Sequence, residues 1–350
     1  MDDPILATKG SRSRRNRLAV RFCTGLLLLG FGVAFDKAKF HSTVVWIGVL
    51  YNISPRTVTV TIPEEKLQEL IAIINRMLSR NVVPEKELRS FAGKAMNVAT
   101  LIVVWRPFLA FIWAALSSSA TRAPKNCIWT RQFRLSLLWL SEFLNGTAGT
   151  ITRTYEYDQY YGSPAAVVIT TDASPHGIGG FLTIQGKIVD YFSGEITDRD
   201  CEVLQRQRGS HEGQQAFESL AILVAVRLWH PTVRRHRATL SVRTDNMGAL
   251  SVVAALKGKG PSLGVVAREL ALELGNCEFF PRTVTHLPGV ANVLADSLSR
   301  RLDPSKQPWS VPHHVQHILS PSTLPPRDWG WWRVCSREYT YSTGYANLDI

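Results

Sequence analysis

The 350-residue chain is poor in cysteine: Cys23, Cys127, Cys201, Cys277 and Cys335 are odd in number, scattered, and never form a CxxC pair. That distribution argues against a disulfide framework and against a cysteine zinc site, and makes a reducing intracellular compartment, cytoplasm or nucleus, the expectation. A long apolar run is also missing. The longest near the start, "FCTGLLLLGFGVAF", is interrupted by Gly25, Gly30 and Gly32 and falls short of the ~20 residues a membrane span needs, so it reads as core and no membrane partner is expected. No small-residue cleavage site follows it, as a signal peptide would require. Acidic residues are scarce in one half. Residues 1–150 hold 20 Lys and Arg against 9 Asp and Glu, residues 160–302 hold 15 against 13, and the formal net charge is +12. The N-terminal portion is therefore the electrostatic footprint for a polyanion, and nucleic acid fits it better than a membrane surface.

Two periodicities are present. Residues 36–62 read as short strands, with "TVVWIGVLY" and "RTVTVTI" separated by the turn signal "NISP". Apolar residues at helical spacing then predict amphipathic helices after Pro63, after Pro84, from about Phe108, and over "TRQFRLSLLWLSEFLNG", a helical bundle over 63–146. From about Tyr160 to Leu302 the expected order is strand (165–171), hairpin strands (178–184 and 187–193), helix (213–229), strand (239–244), helices (246–256 and 262–275), strand (279–286) and helix (290–300). Three antiparallel strands followed by alternating helix and strand make a mixed α/β sheet. From Asp303 the Pro- and Trp-containing sequence lacks periodicity and reads as a tail that at most docks locally.

Four acids in this second region are each introduced by apolar sequence: Asp172 in "VVITTDASPHGIGG", Glu218 in "FESLAILVAV", Asp245 after "TLSVRT", and Asp296 in "VLADSLSRR". Any one of them fits a cap or a satisfied turn. Four together, at the carboxyl ends of two strands and on the helices that cover them, point to oxygen ligands for Mg²⁺, because ionised carboxylates are costly to bury without a cation. Two such ions would clamp the attacking and leaving oxygens of a phosphodiester. The small residues after Asp172 are expected to let a nucleic-acid backbone and the ions come close.

"TTDASPHGIGGFL", "FESLAILVAV", "RTDNMGAL" and "HLPGVANVLADSLSR" resemble, in order and character, the four signature segments of the type 1 ribonuclease H domain attached to retroelement reverse transcriptases. The resemblance implies a ribonuclease H-like mixed five-stranded sheet with flanking helices over 160–302. It implies an acid tetrad of Asp172, Glu218, Asp245 and Asp296 binding two Mg²⁺ ions, with Mn²⁺ as the other candidate, and a turnover histidine at His286. It further implies substrate contacts at Asn292, Asn246 and Ser174, and RNA/DNA hybrid as the nucleic-acid partner. Upstream, "MDDPIL" resembles the end of a polymerase YxDD box, with Asp2 and Asp3 as its remnant carboxylates, and "GFGVAFDKAKFHSTVVWIGVLY" resembles the end of the palm. "KELRSFAGKAMNVA" and "WRPFLAFIWAAL" resemble thumb and connection, giving a palm remnant over 1–62, a helical segment over 63–150 and a tail over 303–350. Fingers and most of the palm have no counterpart, so polymerase activity is not expected of this chain, and the missing polymerase portion of a polyprotein is its implied partner. A nucleic-acid-binding relic without activity, or another nuclease or transposase of the same fold, are the alternatives.

Overall fold

A computed structural model describes residues 6, 8–46, 48–100, 102–117, 123–156, 166–235, 239–275 and 283–336; Asp2, Asp3 and Cys277 lie outside them. Helix α1 (Arg12–Leu28) begins at Ser11, whose hydroxyl accepts the Arg14 N–H and so satisfies one of the free donors of the first turn. None of its residues is buried, and Leu27, Leu28 and Leu29 are 50%, 83% and 75% exposed. The expectation that this run is core is wrong. Its apolar residues follow one another as a block instead of recurring every three or four positions, so a helix spreads them around its circumference and no single face can be buried.

Strands β1 (Thr43–Trp46), β2 (Val49–Ile53) and β3 (Thr57–Thr61) follow as an antiparallel meander. Helices α2 (Glu64–Leu78), α3 (Glu85–Ala99), α4 (Arg106–Ser117) and α5 (Arg134–Leu144) are the expected bundle. Pro107 lies in the first turn of α4, where no helical N–H is needed. Two features escape the sequence reading. Strands β4 (Val82–Pro84) and β5 (Cys127–Trp129) pair across the bundle, and β6 (Arg153–Glu156) joins the meander beside β3.

The second sheet holds β7 (Ala166–Ala173), β8 (Gly177–Ile184), β9 (Lys187–Glu195), β10 (Thr239–Thr244) and β11 (Thr283–His286), in the order β11-β10-β7-β8-β9. β10 is parallel to β7 and to β11, while β8 is antiparallel to its neighbours, which makes the mixed five-stranded sheet expected. Around it lie α6 (Asp198–Leu204), α7 (Gln214–Arg235), α8 (Met247–Ala255), α9 (Gly260–Gly275) and the short α10 (Val293–Ser299). The buried side chains of the bundle and of this sheet form one continuous cluster.

Residues 303–336 are more than a locally docked tail. Ser322 N–H reaches Tyr191 O at 3.1 Å on the edge strand β9, and the Asp200 carboxylate receives Arg327 Nε at 2.8 Å and Trp332 Nε1 at 3.3 Å. Val334 N–H donates to Glu269, and Trp332 is fully buried. The segment is irregular because its hydrogen bonds go to groups far away in sequence, a pattern with no local period to read.

Candidate metal centre

Two adjacent parallel strands set the first two carboxylates. Thr170 on β7 registers with Arg243 on β10, so Asp172 and Asp245, each two residues further on, end up side by side at the carboxyl edge of the sheet. Glu218 comes from the second turn of α7, which packs on β7. One oxygen from each of Asp172, Glu218 and Asp245 lies within 4.8 Å of the others. Asp172 is 4% exposed, Glu218 is 2% exposed and Asp245 is half-buried.

Burial is the largest cause that pushes the Asp172 carboxyl up to about 7 from 3.8; Asp245 and Asp296 push the same way, while the Ser299 hydrogen bond and Arg300 pull against them. Burial likewise drives Glu218 well above its ordinary range, reinforced by Asp172 and Asp245. The partners of Glu218 are neutral: Gln214 Nε2 donates to it at 3.0 Å and Thr244 Oγ1 at 3.2 Å. Among the described residues neither carboxylate has a salt bridge. Hard oxygen donors that repel one another and are held together by the fold are a donor set that a divalent cation fits.

The other candidate residues divide. Asp296, on α10, stands outside the three-carboxylate cluster and is paired with Arg300, Nε to Oδ1 at 2.6 Å, although it is near enough to Asp172 to raise its pKa. His286 ends β11 and is exposed at the rim, with Nε2 3.0 Å from the backbone oxygen of Asp245. Asn292 is buried and donates Nδ2 to Thr171 O at 3.1 Å. Asn246 is the N-cap of α8, its Oδ1 accepting from Gly248 and Ala249 N–H. The Ser174 hydroxyl is buried and engaged within its turn and with Ser299 O.

Two of the small residues after Asp172, Gly177 and Gly179, are taken up by the packing of α10. A Cβ on Gly179 would sit 2.5 Å from Ser299 N, and one on Gly177 would sit 2.6 Å from Ser299 O. These glycines let α10 lie directly on β8, and its last residue, Ser299, donates its hydroxyl to Asp172 Oδ2 at 2.7 Å. Ser299 and Gln214 were both missed from sequence. The signal for them was helical spacing, Ser299 three residues after Asp296 and Gln214 four before Glu218.

No family model matches the chain, and no curated protein matches it. Among solved structures, it is similar to RNase H1 from the halophilic archaeon Halobacterium salinarum NRC-1, at 18% identity over 38% of this chain and 93% of that one, with a TM-score of 0.29. LC11-RNase H1 isolated from compost is similar to the same extent, at 18% identity over 38% of this chain and 92% of that one, with a TM-score of 0.29. The foamy viral protease-reverse transcriptase in complex with RNA/DNA hybrid is 16% identical over 91% of this chain and 37% of that one, with a TM-score of 0.30. The chain thus spans well under half of that viral protein. At these TM-scores the likenesses say nothing of the site, whose chemistry rests on its own atoms. No helix among the described residues is long and apolar enough to cross a membrane.

Proposed function

We propose that the chain is a divalent-metal-dependent endonuclease of the ribonuclease H type, which hydrolyses the RNA strand of RNA/DNA hybrids as part of a retroelement polyprotein. The observation that carries this reading is the convergence of Asp172, Glu218 and Asp245, from two strand ends and a covering helix, into one donor set. In this reading these three residues and Asp296 hold Mg²⁺, with Mn²⁺ as a substitute. Bound there, the cations supply Lewis acidity to the scissile phosphate and a nucleophile at neutral pH.

The remaining work falls to the chain itself. Glu218, hydrogen-bonded by Gln214 and Thr244, holds its donor oxygens in place before any cation arrives, so little reorganisation is needed there on binding. In the same reading His286, exposed beside the Asp245 backbone, would pass a proton between solvent and the leaving oxygen during turnover. Asn246 retains its Nδ2 for a substrate contact, since only its Oδ1 is used in capping. The hydroxyl of Ser174 and the Nδ2 of Asn292 are engaged inward, which leaves them a supporting role.

The test is cleavage of labelled RNA/DNA hybrid with and without Mg²⁺, beside Glu218→Gln, which keeps the shape and removes the charge. Cation-dependent cutting that the variant loses by orders of magnitude supports the reading. Cleavage by Glu218→Gln at the wild-type rate, or no cleavage by the wild-type chain, overturns it, the second result leaving the binding relic.

A further inference from the structure

The carbonyls that end a helix lack partners within it and must find donors elsewhere. In α10 nearly all of these donors come from outside the helix. Ser297 O receives Trp309 Nε1 at 2.8 Å, Leu298 O receives Ser193 Oγ at 2.6 Å, and Ser299 O receives Ser174 Oγ at 2.9 Å. Three side chains, from β9, from the turn before β8 and from the C-terminal segment, thus hold one helix end. At that end the buried Ser299 hydroxyl has two acceptors in reach, Asp172 Oδ2 at 2.7 Å and Asp296 O at 2.9 Å, and a single proton to give. The nearer of the two, Asp172 Oδ2, takes it.

We propose that Ser299 is the positioning residue of Asp172: its hydroxyl, held in place by the clasp of Ser174, Ser193 and Trp309, fixes the rotation of the carboxylate against Glu218 and Asp245. The proposal rests on the metal-binding reading above. A carboxylate free to rotate loses part of its affinity to the entropy of being fixed, and partners that orient metal ligands are worth about ten- to a hundredfold in affinity.

The test uses the full chain and Mn²⁺ alone, titrated by calorimetry without nucleic acid. Ser299→Ala is expected to weaken Mn²⁺ binding about tenfold, Ser299→Thr, which keeps the hydroxyl, to bind more tightly than Ser299→Ala, and Trp309→Phe, which loses only the indole N–H, to weaken binding by less than Ser299→Ala does. A purely packing role for Ser299 would leave the Mn²⁺ affinity of Ser299→Ala at the wild-type value, and that result overturns the proposal. If Ser299→Ala does not fold, Trp309→Phe decides, and an unchanged affinity there overturns it. Wild-type chain that binds Mn²⁺ but leaves hybrid intact removes the nuclease reading alone, while wild-type chain that binds no Mn²⁺ removes both.

Discussion

Neutralising Asp172 should make the metal-free protein more stable, not less. The carboxyl is 4% exposed and its pKa is pushed up to about 7 from 3.8, with burial as the first cause. At about 1.4 kcal/mol per pKa unit, that rise disfavours the ionised carboxylate in the folded state by roughly 4 kcal/mol relative to the unfolded chain. Between 3.8 and about 7 the folded protein keeps a proton that the unfolded chain has lost, so stability falls as pH rises through that window. Below the window the penalty is absent. Asn carries no charge at any pH, and its Oδ1 can still accept the Ser299 hydroxyl. In urea titrations with a chelator present, Asp172→Asn should therefore exceed the wild type at about pH 8 by up to roughly 4 kcal/mol, an upper bound because Glu218 shares the repulsion, and should match it near pH 4. Adding Mn²⁺ at pH 8 should reverse the order, since only the wild type keeps all its ligands. A variant that is less stable than wild type at pH 8 without metal would refute the reasoning, because Asp172 would then be a satisfied structural acceptor.

Two further expectations follow from packing and charge. Gly179→Ala, whose Cβ would lie 2.5 Å from Ser299 N, should lower stability by about 1–3 kcal/mol in urea titration and weaken Mn²⁺ binding, because α10 must lift off β8. Replacing Arg12, Arg14, Arg17 and Arg21 of α1 with Gln should flatten the dependence of hybrid affinity on log salt by about 0.7–0.9 for each phosphate that is no longer neutralised. The same exchange at Arg76, Arg80, Arg89 and Lys94 should change it little, since each already pairs with Glu87, Glu85 or Glu69.

The elements that could be read from sequence are those whose cause is local. β7 and β10 are β-branched runs, and α2 and α3 carry an apolar stripe at helical spacing, so their limits fell within a few residues of the structure. Asp172, Glu218 and Asp245 were legible for a related reason, as isolated charges in sequence that had to be buried. What escaped depends on long-range contact. Ser299 meets Asp172 across 127 positions, and β6 finds β3 across nearly a hundred. Composition also misleads where periodicity is absent. The apolar block in α1 is exposed, while the polar-looking segment after Asp303 buries Trp332 and Arg327.

That last inversion bears on where the functional unit ends. A boundary at Leu302 keeps every proposed ligand, Asp296 and Ser299 included, and so looks sufficient from the motifs. Two fully buried carboxylates speak against it. Asp200 is 0% exposed and takes both a guanidinium and an indole N–H from residues beyond 302, and Glu269, also 0% exposed, takes the backbone N–H of Val334 beside its bond from Arg227. Removing one member of a buried ion pair costs about 3–5 kcal/mol, because the charge left behind has neither its partner nor water. A typical domain has only about 5–15 kcal/mol in total, so a chain cut after Leu302 should unfold or aggregate at room temperature, whatever its catalytic residues. Arg327→Ala in the full chain isolates the effect, and should lose about 3–5 kcal/mol in urea titration while keeping the rest of the segment in place. A truncated chain with wild-type melting behaviour would show that Asp200 is re-solvated at little cost, and that the segment beyond Leu302 rests on a unit already complete.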